Sequence, residues 1–225
     1  MTNSFFITGV GTDVGKTYIS ALLYKELKKY TDIGYYKPIQ SGCFYENGKL
    51  IAPDLKFLAD FSKNPYDDEM CTYALVPEVS PHLASELENK KIDMEIIYKE
   101  IENKKQKYKT LLLEGAGGVY VPLIRDKFYI YDFIKKIDFP VILVANTKVG
   151  GINHAMLSIK FLESLGIKIH GIVFNGYTGE IYEDDNIKVV LKDSKIKNYL
   201  IVRKNQTEIK KEELFRFFGM EDKKC

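Results

Sequence analysis

Short apolar runs alternate with longer amphipathic stretches along the chain. Buried strands are predicted at residues 5–7, 34–37, 110–113, 141–144 and 169–174. Helices are predicted at residues 16–29, 92–107 and 152–165, the last with Gly166 as its C-terminal stop. Apolar strands separated by helices are typical of a parallel sheet covered on both sides. The pattern therefore predicts an α/β fold, with a mostly parallel sheet and helices on both faces.

The length, charge and cysteines of the chain limit its domain number, partners and compartment. The 225 residues fit one domain, spanning 1–225, better than two. The net charge of +2 gives no argument for nucleic acid or a membrane as a partner, and neither is expected. Cys43, Cys71 and Cys225 are widely separated and odd in number, which argues against disulfides or a zinc site. A reducing, cytoplasmic compartment is the simplest expectation.

Residues 9–17 read Gly-Val-Gly-Thr-Asp-Val-Gly-Lys-Thr and join a predicted strand to a predicted helix. In such a loop, backbone N–H groups converge on phosphate oxygens and the helix N-terminus adds a positive dipole. Lys16 would contact the β- and γ-phosphates, and the Thr17 hydroxyl would bind Mg²⁺. The spacing is unusual, because Gly9 lies six residues before Gly15 rather than five. The segment predicts a P-loop NTPase that binds a nucleoside triphosphate with Mg²⁺.

Two further polar segments come before the middle of the chain. Residues 36–42 place Lys37 and Ser41 at the end of the second predicted strand, where a lysine is either a surface residue or a phosphate ligand. Asp54 precedes an apolar helical pattern, so it is a helix N-cap, a magnesium ligand, or both.

Two glycine-rich segments follow later in the chain. Residues 114–118 read Glu-Gly-Ala-Gly-Gly after a buried strand, and a carboxylate there is well placed to bind magnesium. Gly150 and Gly151 precede a helix whose first N–H groups are free for an anion, with Asn153 in its first turn. Plain helix initiation is the alternative interpretation of that second segment.

Five motifs in this order resemble those of the dethiobiotin synthetase family. They are the loop at residues 9–17, the Tyr-Lys-Pro-x-x-Ser-Gly of residues 36–42, the Ser-Pro-His of residues 80–82, the Glu-Gly-Ala-Gly-Gly of residues 114–118, and the Gly-x-Ile-Asn-His-Ala of residues 150–155. Each motif is weak by itself, but five in the right order are specific. They lie within residues 4 to about 176, which is most of the chain.

The resemblance implies roles for individual residues. Nucleotide contacts are implied for Thr12, Asp13, Val14, Gly15, Lys16, Thr17, Asp54, Glu114, Gly115, Ala116, Gly117, Asn175 and Gly176. Magnesium would be held by Thr17, Asp54 and Glu114, and Lys16 and Lys37 would be the catalytic lysines. Ser41 would contact the substrate. Family members are homodimers. The carboxylate of the substrate would therefore be bound by residues that the neighbouring subunit contributes: Gly150, Gly151 and Asn153.

The resemblance also implies a reaction. ATP would drive the joining of CO₂ or bicarbonate to 7,8-diaminononanoate and the closure of the ureido ring of dethiobiotin, through a phosphorylated carbamate. The sequence departs from the family in two places. Val10 and Gly11 replace a Thr-Asp pair, and residues 199–203 lack the family's proline-containing base-binding segment. The preferred nucleotide base therefore stays open.

Three other functions fit parts of the sequence. Partition and septum-positioning ATPases share the fold class, but their loop carries an early lysine that residues 9–11 lack. Some of them end in a membrane-binding helix, whereas residues 209–218 have too little basic charge on one face and favour a packed helix. Cobyrinate amidation synthetases need a glutaminase domain for which this chain is too short. A non-enzymatic module would bind nucleotide without turnover.

Overall fold

The computed structural model describes residues 3–221 of the chain, so Cys225 lies outside it. The strands are β1 Asn3–Gly9, β2 Ile33–Tyr36, β3 Ile39–Gln40, β4 Phe44–Glu46, β5 Lys49–Ile51, β6 Tyr73–Ala74, β7 Thr110–Gly118, β8 Pro122–Ile124, β9 Phe128–Tyr129, β10 Val141–Asn146, β11 Ile169–Tyr177 and β12 Tyr199–Arg203. The α-helices are α1 Lys16–Leu27, α2 Pro53–Ser62, α3 Pro81–Leu87, α4 Met94–Lys107, α5 Ile130–Ile137, α6 Gly151–Ser164, α7 Ile181–Ser194 and α8 Lys211–Phe218.

A six-stranded sheet forms the centre of the molecule. Its strand order is β12-β11-β10-β1-β7-β2, and every neighbouring pair is parallel. Three two-stranded ladders lie outside it: β3 with β6, β4 with β5, and β8 with β9. The predicted parallel sheet is confirmed.

Side chains of the central strands alternate between two hydrophobic cores, as the two-residue period of a strand requires. On β1, Phe6 belongs to one core, while Phe5 and Ile7 belong to the other. The Phe6 core is covered by α3 to α7, and the opposite core by α1, α2 and α8. Helices therefore cover both faces, as predicted.

The strand register brings the carboxyl ends of the central strands to one edge of the sheet. Gly9 of β1 lies opposite Val144 of β10 and Gly118 of β7. Asn146 of β10 lies opposite Asn175 of β11. Ligands of open parallel sheets bind at this edge, and the segments that carry Thr12, Lys37 and Gly150 follow β1, β2 and β10 there.

Two predictions are refined by the structure. The strand predicted at residues 110–113 is longer in the structure, because β7 continues to Gly118 with Glu114 and Gly118 paired to β1. Residues 209–218 were expected to form a packed helix, and α8 confirms this, with Leu214 and Phe217 buried. Within residues 3–221, none of the helices combines the length and apolar character required to cross a bilayer.

Candidate active site

The loop between β1 and α1 has the geometry of an anion-binding loop. Gly15 is the residue before α1 and has φ +86°, a left-handed conformation that glycine adopts without strain. A Cβ there would lie 2.1 Å from Nδ2 of Asn175, so close approach also requires glycine. No side chain caps α1, which leaves its first N–H groups available to a phosphate.

Lys16, the first residue of α1, is buried and folds back over the loop. Its Nζ donates a hydrogen bond to the carbonyl oxygen of Gly11 at 3.0 Å. Burial and the positive charge of Lys37 lower the pKa of Lys16, against the opposing effect of Glu114 and Asp54. Two ammonium groups thus lie close together at the loop, where a polyphosphate would relieve their repulsion.

Glu114 is the centre of a buried polar cluster at the carboxyl edge. Its side chain is fully buried. Oε1 accepts hydrogen bonds from Thr17 Oγ1 at 3.0 Å and from Lys37 Nζ at 2.7 Å. Oε2 accepts one from the Tyr35 hydroxyl at 2.9 Å. The carboxylate is therefore held by three different elements: β2, the segment that follows β2, and α1.

Asp54 joins the same cluster from α2. The N-cap of that helix is Ala52, and no side chain caps it, so the N-cap interpretation of Asp54 is wrong. The Asp54 carboxylate instead forms an ion pair with Lys37. Burial by itself would raise the pKa of Asp54. The charge and hydrogen bond of Lys37, with hydrogen bonds from Thr17 and Gln40, outweigh burial, so the pKa of Asp54 is lowered.

Lys37 lies between the two carboxylates and is only 4% exposed. Burial lowers the pKa of an ammonium group, but the negative charges of Glu114 and Asp54 outweigh it, and the pKa of Lys37 is raised. The side chain is therefore a permanent cation inside the protein. The surface interpretation of this lysine is excluded.

The donor atoms fit a hard divalent cation. The carboxylates of Asp54 and Glu114 both contact the Lys37 ammonium, and the Thr17 hydroxyl contacts both carboxylates. Across residues 3–221 there is no group of three or more His, Cys, Asp or Glu that could hold a metal. Two carboxylates and a hydroxyl suit Mg²⁺, which completes its shell with phosphate oxygens and water.

Gly115, Ala116 and Gly117 continue β7 beside the phosphate loop. A Cβ on Gly115 would meet the Phe6 ring at 2.8 Å, so packing against β1 requires glycine at this position. The predicted nucleotide contacts of these residues stay a prediction.

Asn175 and Gly176 lie near the C-terminal end of β11, and Asn175 contacts the phosphate loop. Nδ2 of Asn175 donates a hydrogen bond to the Val14 carbonyl oxygen at 3.0 Å. This amide group thus supports the loop from the side, close to Gly15. Its predicted contact with the nucleotide base stays a prediction.

The remaining predicted residues lie around the cluster. Ser41 is half-buried just after β3. Gly150 and Asn153 are exposed at the start of α6, and Gly151 between them is buried. A cavity of about 430 Å³ separates α6 from the phosphate loop and is lined by both, including Gly11 and Ser158. The cavity therefore borders the second half of α6, and its lining residues do not include the predicted residues at the start of that helix.

Sequence reasoning missed Tyr35 and Gln40. Tyr35 is two residues before Lys37, and alternate strand residues point to the same side of a sheet, so this signal was available. Gln40 is 6% exposed and its amide forms a hydrogen bond with Asp54. Nothing in the sequence pattern indicates that contact, because it depends on how the segment after β2 folds back towards α2.

Comparison with known proteins agrees with this site. Residues 3–211 match the protein family described as an AAA domain. A protein of Fusobacterium nucleatum named ATP-dependent dethiobiotin synthetase BioD is 59% identical over 215 residues, covering 96% of this chain and 98% of the relative. A relative of the same name from Anoxybacillus flavithermus is 39% identical, covering 83% of this chain and 85% of the relative.

Solved structures show the fold. The MinC:MinD cell division protein complex of Aquifex aeolicus has a chain with a TM-score of 0.54 at 17% identity, covering 98% of this chain and 86% of that one. A ParA family ATPase from Chlorobium tepidum has a TM-score of 0.52 at 14% identity, covering 97% and 90%. These similarities confirm the P-loop NTPase fold. On its sequence relationships, the chain belongs to the family of ATP-dependent dethiobiotin synthetases.

Proposed function

We propose that this chain is a ligase of biotin biosynthesis that converts 7,8-diaminononanoate, CO₂ and ATP into dethiobiotin, ADP and phosphate. The observation that carries the proposal is the buried Lys37 ammonium, which is held by Glu114 and Asp54 beside the phosphate loop. Family membership supplies the substrates, because the relatives named above are ATP-dependent dethiobiotin synthetases.

The reaction needs positioning more than covalent catalysis. One amine of the substrate takes up CO₂ and loses a proton, which gives a carbamate. A carbamate oxygen attacks the γ-phosphorus of ATP, the bond to the β-phosphate oxygen breaks, and ADP leaves. The second amine then attacks the carbonyl carbon of the mixed anhydride. Ring closure releases phosphate and a proton.

The chain supplies cations and N–H groups for these steps. The backbone of residues 12–17 binds the triphosphate, and Lys16 contacts the transferring phosphoryl group. Lys37 stabilises the charge that develops between carbamate and phosphate, which is electrostatic catalysis by a group already in place. Thr17, Asp54 and Glu114 would hold Mg²⁺, which would supply positive charge to neutralise the phosphate oxygens.

The substrate lies between the phosphate loop and α6 in this proposal. Ser41 contacts the diamine end, and Gly150, Gly151 and Asn153 of a neighbouring subunit take the carboxylate. The dimer is supported by exposed apolar residues around the cavity, since Tyr120 and Leu157 are each more than 60% exposed. We place the enzyme in the cytoplasm.

The proposal is tested by measuring phosphate release and dethiobiotin formation together. The purified protein receives diaminononanoate, bicarbonate, Mg²⁺ and each of the four common nucleoside triphosphates in turn. We expect both products with ATP and none when diamine or bicarbonate is omitted. The panel also shows which base is preferred. Phosphate release that ignores the diamine would reject the synthetase and favour a nucleotide-driven switch.

A further inference from the structure

Glu183 is a buried carboxylate away from the phosphate loop. It lies in the first turn of α7 and is 1% exposed. Its Oε2 accepts hydrogen bonds from the backbone N–H groups of Thr178, Gly179 and Glu180 at 2.8, 2.8 and 3.0 Å. The Thr178 hydroxyl donates to the same oxygen at 2.8 Å. Through these four hydrogen bonds, Oε2 stabilises the turn between β11 and α7.

The other carboxylate oxygen makes a contact outside its own helix. Oε1 of Glu183 accepts a hydrogen bond from the hydroxyl of Thr147, which is 1% exposed and directly follows β10. Asn186 lies further along α7, and its Nδ2 donates to the carbonyl oxygens of Thr147 and Lys148 at 2.9 and 3.3 Å. The start of α7 therefore holds the turn that follows β10.

This arrangement exceeds what a helix cap requires. The turn before α7 is satisfied by the N–H groups that donate to Oε2, as in an ordinary capping box. The bond to Thr147 instead joins two loops at the carboxyl edge of the sheet. Burying a carboxylate is costly unless it is fully hydrogen-bonded, and here five hydrogen bonds meet that cost.

The turn after β10 leads directly to the start of α6. Gly151 N donates to the Lys148 carbonyl oxygen at 2.8 Å, so the position of Lys148 sets where α6 begins. Val149 is 87% exposed and Gly150 is exposed, so packing does not hold this part of the chain. The hydrogen bonds that Glu183 and Asn186 of α7 form with Thr147 and Lys148 anchor the first residues of this turn.

We propose that Glu183 is a positioning residue for substrate binding, which acts through the Thr147 hydroxyl to hold residues 148–151. This inference rests on the proposed function, in which the N–H groups at the start of α6 take the carboxylate of the diamine. Glu183 touches neither nucleotide nor substrate. It joins the turn after β11, next to Asn175 and Gly176, to the turn after β10.

The test replaces Thr147, because Thr147→Val removes the hydroxyl and leaves the turn before α7 intact. We expect Thr147→Val to raise the KM for diaminononanoate about tenfold, which corresponds to about 1.4 kcal/mol and lies within the range for losing one partner of a buried hydrogen bond. The KM for ATP and kcat at saturating diamine should stay within about twofold, well below 1 kcal/mol. Thr147→Ser keeps the hydroxyl and should restore the wild-type KM. Asp185→Asn, exposed on α7, is the matched control.

Amide hydrogen exchange provides a readout that does not depend on turnover. We expect faster exchange at residues 148–151 in Thr147→Val than in wild type, with unchanged exchange at residues 9–17. Equal protection in both proteins overturns the proposal, and so does an equal rise of the KM values for diamine and ATP. If the wild-type protein makes no dethiobiotin, the proposed function fails, and the exchange rates alone decide whether Thr147 holds the turn.

Discussion

At the scale of single residues, the site depends on a cation buried between two anions. Lys37 is 4% exposed and Glu114 is fully buried, so both charges are shielded from water. A buried ion pair is not by itself evidence of stability, because desolvation offsets much of the attraction. Its place next to the phosphate loop indicates function: the cluster keeps an ammonium group charged and oriented before any ligand arrives.

Lys37→Ala should greatly slow product formation while keeping nucleotide binding. Removing one preorganised charge from the reacting position costs about 100-fold or more in kcat. The affinity for ATP should change by less than about tenfold, or roughly 1.4 kcal/mol. Steady-state assays and calorimetry with Mg-ATP measure the two effects. Lys99→Ala, exposed on α4, is the control. A wild-type rate for Lys37→Ala would remove this lysine from the mechanism.

Tyr35→Phe should weaken metal binding without unfolding the protein. The Tyr35 hydroxyl is the hydrogen-bond donor on Glu114 Oε2, and a supporting donor of this kind affects metal affinity by about 10- to 100-fold. Mn²⁺ titration followed by electron paramagnetic resonance, with nucleotide present, measures the affinity. Tyr36→Phe is the matched control, because the neighbouring buried hydroxyl contacts Thr72 instead. Equal Mn²⁺ affinities in the two variants would contradict the role of Tyr35.

At the scale of elements, each functional group is placed by the end of a strand or the start of a helix. β1 leads into the phosphate loop, β7 carries Glu114, and the segment after β2 carries Lys37. The first turn of α2 adds Asp54, and the first turn of α7 adds the Glu183 carboxylate. The contacts between these groups join distant parts of the sequence: Lys37 meets Glu114 and Asp54, and Glu183 meets Thr147.

The Glu183 carboxylate should make the stability of the protein depend on acidity. Burial raises its pKa, but hydrogen bonds from Thr147, Thr178 and Glu180 lower it from 4.5 to about 2. A carboxyl group whose folded pKa is lowered stabilises the protein above its unfolded pKa, and this contribution is lost as pH falls from about 4.5 to about 2.

Glu183→Gln should therefore lower the unfolding free energy at pH 7 by about 2 kcal/mol, the scale of hydrogen bonds to a charged group, and by less below pH 4.5. Urea unfolding of wild type and variant at pH 7, 5, 4 and 3 measures the difference. Asp185→Asn should show no such trend. A difference between wild type and Glu183→Gln that stays constant down to pH 3 would contradict the lowered pKa.

At the scale of the whole molecule, the candidate active site lies at one edge of the parallel sheet, and apolar side chains are exposed beside it. Tyr120 and Leu157 are exposed at the cavity between α6 and the phosphate loop. A second subunit covering this region would bury both residues and close the cavity. The completed site would then lie between two copies of the chain.

Leu157→Asp should dissociate the proposed dimer, because it places a charge in an apolar contact. We expect association to weaken by at least about 2 kcal/mol, roughly thirtyfold in Kd. Sedimentation velocity over a range of concentrations measures it, and activity should fall with the dimer fraction. Leu87→Asp is the control, since Leu87 on α3 has almost the same exposure, 61% against 63%. A wild-type protein that sediments as a monomer would reject the dimer.

Local patterns in the sequence predicted much of this protein. Apolar runs and helical periodicity indicated the parallel sheet and its helices, because these signals depend on residues close together in the chain. The loop at residues 9–17 and Glu114 were singled out for the same reason, whereas the catalytic role of Lys37 came only from the resemblance to the family. The loop and Glu114 each stand at a strand end, where spacing and residue type are enough to suggest phosphate or metal binding.

Tertiary structure alone decided which of these groups meet. Asp54 was compatible with a helix cap until α2 packed against α1 and its carboxylate met Lys37. Tyr35 and Glu114 are 79 residues apart, and Thr147 and Glu183 are 36 apart. Contacts over such separations depend on strand order and register, which no short stretch of sequence encodes, because they result from burying all the apolar faces together.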